Sequence, residues 1–158
     1  MAHPRTPAAS SSSSAGEPPS LLELTTYLLS RTGKDARSRL AERLAADGLR
    51  LYHHAALAVL ADLGPHTQRE LADRLRLDPS DLAKAADLLA ARGWIDRTRD
   101  PADRRRLTLT LTPAGRTRLA ALQAEARAVQ DAVLAPLDPA ERAALHALLL
   151  RLHGGVAG

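Results

Sequence analysis

The residues whose chemistry stands out first are three consecutive arginines: Arg104, Arg105 and Arg106. They follow the acidic residues Asp100 and Asp103 and precede a strict alternation of leucine and threonine over residues 107–112. A period of two with β-branched partners is typical of a half-buried strand. Residues 94–99 can pair with this strand as a hairpin, which places the arginines at its tip. Guanidinium groups held there suit contact with phosphates or with a narrow groove.

Two short helices joined by a tight turn are predicted just before this hairpin. Thr67 and Glu70 have the spacing of a capping box, so we expect a first helix over residues 67–75. Asp78 caps the second helix, which begins with a proline and runs over residues 79–92 until a glycine ends it. This arrangement is a helix-turn-helix.

The second helix of such a motif normally lies in the DNA major groove, with its first residues at the base edges. At 100° per residue, Ser80 and Lys84 point away from the apolar face that includes Leu82. A serine can bond a base or a phosphate, and a lysine can reach guanine or a phosphate. The residues predicted to contact DNA are Thr67, Gln68, Ser80, Lys84, Asp103, Arg104, Arg105 and Arg106.

Composition agrees with a helical nucleic-acid-binding chain. The 158 residues contain only 2% aromatics, so leucine and alanine must form the core, and both favour helix. The formal charge of +4 and the isoelectric point near 10.3 favour a polyanionic partner. The absence of cysteine excludes disulfides and thiolate metal sites. Without a leader or an apolar run of membrane-spanning length, we expect a cytoplasmic chain that does not bind membranes.

The fold class we expect is mainly α with a small β-hairpin wing. Residues 1–19, rich in serine and proline, are predicted to form a disordered tail. Residues 20–48 are predicted to form one long or broken helix, capped by Ser20. A buried helix over residues 50–62 opens the winged helix-turn-helix domain of residues 50–112. Residues 113–153 form two further helices, separated near Pro136 and restarted by Asp138, and the second frays at Gly154 and Gly155.

The segment Asp-Pro-x-Asp-Arg-Arg, followed by Leu-Thr-Pro-x-Gly, closely resembles the wing of the MarR family of bacterial transcription regulators. Residues 67–72 and 92–95 also match the family pattern. The resemblance implies that Arg105 inserts into the minor groove while Asp100 and Asp103 orient the loop. The second helix of the helix-turn-helix, the recognition helix, departs from the family at Asp81, Ala83 and Leu88. We therefore expect it to make few sequence-specific contacts with bases.

The resemblance also implies a homodimer. In the family, the first and last helices of two subunits interlock, so residues 20–48 and 113–153 would be dimerisation helices. An intramolecular bundle of the same helices is the alternative. Two-fold symmetry predicts a near-palindromic double-stranded operator with half-sites about 10 bp apart.

Family members often lose DNA affinity on binding a small aromatic or anionic effector. Tyr52, His53 and His54 are only weak candidates for such a site, because structural roles explain them better. His146 and His153 share a helix face but lack the rest of a metal ligand set, so we predict neither a metal nor a cofactor.

The favoured interpretation is a dimeric, sequence-specific DNA-binding transcription regulator, a repressor released by an effector. The alternatives are a winged-helix protein-interaction module and a metal-responsive regulator. An enzyme is not expected, because the sequence has no phosphate-binding glycine loop and no catalytic arrangement of nucleophile and base.

Overall fold

The structure is a computed structural model that describes residues 16–99, 103 and 107–156. Residues 1–15, together with Asp100, Arg104, Arg105 and Arg106, lie outside the described residues. The chain divides into two compact units, one up to Lys34 and the other from Asp35 onward. The helices are α1 (Pro19–Leu22), α2 (Thr25–Ala45), α3 (Leu51–Asp62), α4 (Gln68–Leu75), α5 (Pro79–Ala91), α6 (Pro113–Val133) and α7 (Pro139–Val156).

The first predicted helix is broken. Pro18 is the N-cap of α1 and offers no side-chain hydrogen bond, so the prediction that Ser20 caps this helix is wrong. Pro19 fits the first helical position because its φ is already fixed and it has no N–H to leave unbonded. Ser20 therefore lies inside the first turn.

The helix boundaries after residue 50 follow the predicted signals closely. Asp138 and Glu141 form a reciprocal cap at the start of α7, with N–H donors 2.9 Å from the acceptor oxygens in both directions. The predicted fraying at the two C-terminal glycines is wrong, because α7 continues through Gly154 and Gly155. A glycine weakens a helix without forbidding one.

The sheet has three antiparallel strands in the order β1 (His66–Thr67), β3 (Leu107–Leu111) and β2 (Ile95–Arg99). The hairpin of β2 and β3 is the predicted one, and Arg99 pairs with Leu107 at its open end. Strand β1 was not predicted, because two residues are too few to show a period. It lies directly before α4 and joins the helix-turn-helix to the wing.

The core lies within the unit that begins at Asp35. It consists of aliphatic residues from α3, α4, α5 and β3, with contributions from the end of α2 and from α6. Alternate residues of β3 enter it, as the alternation predicted. The fully buried leucines are Leu44, Leu49, Leu57, Leu71, Leu82, Leu89, Leu109 and Leu122.

The wing and α6 are joined by a compact set of hydrogen bonds around Thr112. Its hydroxyl accepts from the Gly115 N–H at 3.0 Å and donates to the Gly93 carbonyl at 2.7 Å. The Thr112 N–H also donates to the Trp94 carbonyl at 3.0 Å. The threonine thus caps α6 and fixes the start of the wing with one side chain.

Helix α7 contributes no buried residue to the described part of the chain. Its leucines at positions 148, 150 and 152 are 53%, 58% and 58% exposed. Exposed leucines also occur in α1 and α2, at Leu22, Leu28 and Leu29. Among the helices that the structure describes, none combines the length and apolar character that crossing a membrane requires.

Candidate nucleic-acid interface

The predicted capping box at the start of α4 is present. The Thr67 N–H donates to the Glu70 carboxylate at 2.8 Å, and the Glu70 N–H donates to the Thr67 hydroxyl at 3.2 Å. Arg76 ends α4 with a φ of 53°, the left-handed conformation that turns the chain sharply toward α5. Leu71 and Ala72 are buried, which fixes the face that α4 turns to the core. Thr67 and Gln68 remain partly exposed at its beginning.

Ser80 is engaged within its own helix start. Its N–H and its hydroxyl both donate to one Asp78 carboxylate oxygen, at 2.8 and 2.6 Å. These hydrogen bonds, that of the Ser80 side chain foremost, hold the pKa of Asp78 below its ordinary value. Because the hydroxyl proton is already donated, the Ser80 oxygen is left with its capacity to accept.

Lys84 lies on the exposed face of α5, with its side chain 76% exposed and its ammonium 3.7 Å from the Asp81 carboxylate. An exposed pair of this kind contributes on the order of 0–1 kcal/mol. A phosphate can therefore compete for the lysine at little cost. Asp81 is also exposed and lowers the positive charge of the face predicted to meet DNA.

Asp87, which the helical pattern places beside Ser80 and Lys84, is bound to the wing. The Arg97 guanidinium in β2 donates to its carboxylate at 2.6 Å, and the arginine side chain is only 28% exposed. This ion pair joins the middle of the recognition helix to the first wing strand. The helical pattern of α5 alone does not predict this ion pair, although Arg97 lies two residues after the buried Ile95 and so shares its strand face.

The predicted tip of the wing lies mostly outside the described residues, as Arg104, Arg105 and Arg106 do. Its two ends are described: Arg99 is the last residue of β2 and Leu107 is the first of β3, and they pair across the hairpin. Asp103 is exposed. The roles of these residues in DNA binding remain predictions.

Tyr52, His53 and His54 lie together on α3, and the structure gives one of them a structural role. His53 is buried, and its Nδ1 accepts the Arg50 N–H at 2.8 Å, which caps the helix. The Tyr52 and His53 ring centroids are 4.5 Å apart. Burial, and then Arg50 and Arg92, lower the pKa of His53. The role of Tyr52, His53 and His54 in effector binding remains a prediction.

Burial also lowers the pKa of His54, and the Glu125 carboxylate opposes the shift. His146 and His153, in contrast, are exposed on α7. In the part of the chain that the structure describes, no group of three or more histidine or acidic side chains is placed to hold a metal ion.

An open cleft of about 380 Å³ lies between the second half of α2 and α6. The sequence does not predict this cleft, because its walls come from residues about 90 positions apart in the chain. Its lining combines two cations, one acid and two apolar residues. The lining residues are Arg39, Glu42, Arg43, Val129 and Ala132.

The lowered histidine pKa values lead to a prediction about stability. Above the ordinary pKa of 6.5 both histidines are mostly neutral in the folded and the unfolded state, so stability is highest there. Below that pH the unfolded chain binds protons that the folded chain resists, because its histidine pKa values are lowered, so we expect the free energy of unfolding to decrease as the pH falls below about 6.5.

Urea denaturation of the His53→Gln variant at several pH values tests this expectation. Glutamine can accept the Arg50 N–H but cannot titrate, so the pH dependence should flatten. His153→Gln, on an exposed histidine of α7, is the matched control and should keep the wild-type slope. Identical slopes for His53→Gln and the wild type would contradict the interpretation.

Taken together, α4, α5 and the hairpin of β2 and β3 form a winged helix-turn-helix. The model of the MarR family matches residues 47–106. A probable transcriptional regulator from Pseudomonas aeruginosa shares 33% sequence identity with this chain and a TM-score of 0.67. The similarity covers 84% of this chain and 98% of that one. The chain belongs to the MarR family, whose members are transcription regulators and not enzymes. This membership agrees with the prediction that the chain is not an enzyme.

Two further similarities concern named regulators. The transcriptional repressor NicR of Pseudomonas putida is 31% identical over 96 residues, 61% of either chain. Bordetella bronchiseptica BpsR, whose DNA binding is regulated by 6-hydroxynicotinic acid, shares 26% identity and a TM-score of 0.66, over 83% of this chain and 94% of that one. The chain spans about three fifths of the length of the curated relatives that it matches.

Proposed function

We propose that this protein is a dimeric, sequence-specific DNA-binding transcription regulator of the cytoplasm, a repressor that a small molecule releases from its operator. The observation that carries the proposal is the ion pair between Asp87 and Arg97. It holds the exposed face of α5 and the root of the wing side by side, so that one surface can reach a major groove and the adjacent minor groove. NicR is a repressor, and the DNA binding of BpsR is regulated, which supports the same role here.

Residues 50–112 are the proposed DNA-binding domain, and the terminal helices are the proposed dimerisation elements. A helix with an apolar stripe needs a surface against which to bury it. The exposed leucines of α7 meet no such surface among the residues that the structure describes, and those of α1 and the start of α2 are exposed as well. A second copy of the chain supplies the missing surface, and the resulting two-fold axis requires a near-palindromic operator.

On this surface the proposed contacts divide into two kinds. Thr67, Gln68 and Lys84 bind phosphates or guanine, and Ser80, whose proton is donated to Asp78, accepts from a base amino group. The wing arginines Arg104, Arg105 and Arg106 supply the minor-groove contact, and Asp103 orients them. The acids Asp81 and Asp87 weaken the attraction of α5 for phosphate, so the wing carries most of the affinity.

The proposed effector is a small aromatic anion. The cleft between α2 and α6 is lined by Arg39 and Arg43 and by the apolar residues Val129 and Ala132, which suits a carboxylate attached to a ring. Tyr52, His53 and His54 remain the other candidates. 6-Hydroxynicotinic acid, which regulates the DNA binding of BpsR, is the first probe. It should weaken binding of the operator, and the operator should weaken binding of the acid by the same factor.

The function is tested by selecting sequences from a library of randomised duplexes and measuring affinity for the selected duplex at two salt concentrations. We expect one near-palindromic sequence to be enriched, with an affinity that falls steeply with salt as phosphate contacts are lost. If no sequence is enriched, the proposal is contradicted and a protein-interaction module is favoured instead. The acidic residues on α5 support that alternative.

The unequal contributions of the wing and of α5 to operator affinity give a second prediction. Arg105→Ala should weaken operator binding by about 10-fold to 100-fold, because a charged hydrogen bond contributes roughly 1.5–3 kcal/mol. Ser80→Ala removes a neutral acceptor and should cost about tenfold or less. Fluorescence anisotropy with labelled operator at fixed salt measures both losses.

Arg127→Ala is the control for the loss of one positive charge, since Arg127 is exposed on α6 and outside the proposed surface. It should bind operator like the wild type. Equal losses for Arg105→Ala and Ser80→Ala would show that the wing does not dominate the affinity.

A further inference from the structure

Four side chains meet at one place in the unit that begins at Asp35. They come from the turn after α2, from the connection between α5 and β2, and from the first turns of α6. We call them the Asp47 junction: Asp47, Arg92, Trp94 and Arg118. The recognition helix α5, the wing strand β2, the end of α2 and the start of α6 all lead into it.

Both arginines bind Asp47 and both flank the indole. The Arg92 guanidinium donates to the Asp47 carbonyl at 2.9 Å, and the Arg118 guanidinium donates to the Asp47 carboxylate. The guanidinium carbons of Arg92 and Arg118 lie 5.1 and 5.5 Å from the centre of the Trp94 ring. These distances are within the range of cation–π attraction.

Stability alone does not account for Arg118. Its side chain is only 21% exposed, and its Nε is buried without a hydrogen-bond partner among the residues that the structure describes. Leaving a buried N–H unbonded costs free energy that an apolar side chain of similar length would avoid. An arginine retained at this cost indicates a role in geometry.

We infer that Arg118 is a positioning residue that fixes the angle between the DNA-binding domain and the dimerisation helices, and thereby selects the spacing of the operator half-sites. The inference rests on the proposed function. Arg118 lies one turn into α6, just after the Thr112 and Gly115 contacts that fix the wing root. Through Asp47 it also holds the turn after α2. Each recognition helix is then held at one orientation to the two-fold axis.

The experiment compares operators in which the half-sites of the selected duplex are moved apart or together by one base pair. Each base pair rotates one half-site by about 34–36°. The wild-type protein should therefore lose at least about tenfold in affinity per base pair inserted or removed, comparable to a mismatched site. Arg118→Gln should flatten this profile to about threefold or less, because the domains can then adjust.

Two readouts separate positioning from loss of structure. Trp94 is the sole tryptophan of the chain, so its fluorescence should change in Arg118→Gln without DNA present. Arg118→Lys keeps the cation and should retain part of the spacing preference. Arg116→Gln removes the same charge from an exposed site two residues earlier and should reproduce the wild-type profile.

A uniformly weaker Arg118→Gln with the wild-type spacing profile would overturn the inference and leave the proposed function intact. A wild-type protein that selects no sequence would overturn both. Should Arg118→Gln fail to fold, Asp47→Asn removes charge from the partly exposed acceptor instead and should relax the spacing preference in the same way. An unchanged profile in Asp47→Asn would then overturn the inference.

Discussion

Replacing Leu148 and Leu152 by lysine is expected to convert the proposed dimer into monomers at micromolar concentration and to abolish operator binding. The two leucines lie one turn apart on α7 and are 53% and 58% exposed in the single chain. Burial of the exposed half of a leucine contributes about 1 kcal/mol, since full burial contributes roughly 1.5–3 kcal/mol. The two-fold axis doubles every substitution, so four leucines are lost from one interface.

The loss therefore amounts to about 4 kcal/mol, or roughly a 1000-fold weaker dimer, before the cost of burying four ammonium groups is added. Sedimentation equilibrium measures the dissociation constant, and anisotropy measures operator affinity. Leu63→Lys is the matched control: Leu63 is 54% exposed at the end of α3 and belongs to none of the proposed dimerisation helices. A double variant that remains dimeric with unchanged affinity would show that α7 is not the interface.

The second large effect is expected at Gly115, in the first turn of α6. A Cβ atom built there would lie 2.0 Å from the Trp94 carbonyl oxygen and 2.7 Å from a Leu111 methyl group. The oxygen belongs to backbone that is itself held by the Thr112 N–H, so it cannot move aside cheaply. Only a glycine allows α6 to approach the wing root so closely.

Gly115→Ala should therefore lower the free energy of unfolding by about 3 kcal/mol or more, at the upper end of what overpacking costs. Urea denaturation followed by circular dichroism measures the change. Gly33→Ala is the matched control, because a Cβ at Gly33 meets nothing within 4 Å in the interior of α2. Alanine there should stabilise the helix by about 0.5–1 kcal/mol. A Gly115→Ala variant as stable as the wild type would refute this account of the wing root.

The amino-acid sequence alone determined the local elements. The spacing of Thr67 and Glu70, the pair Asp78-Pro79, and the leucine–threonine alternation of β3 each act within a few residues, so their structural consequence is encoded where they stand. The motif of Thr112, Pro113 and Gly115 was likewise recognisable as a family pattern. The physical reason for the glycine, which is the close approach of Gly115 to the Trp94 carbonyl, was not recognisable from the sequence.

Only the tertiary structure decided which residues from distant parts of the chain meet. The pairing of Asp87 with Arg97, the meeting of Asp47 with Arg118 and the cleft between α2 and α6 depend on how helices pack, and 71 positions separate Asp47 from Arg118. Strand β1 exists because β3 lies beside it, and the leucines of α7 are exposed because no other described residue covers them. Hydrophobic burial is non-directional, so a sequence pattern shows which face must be buried but not against what it packs.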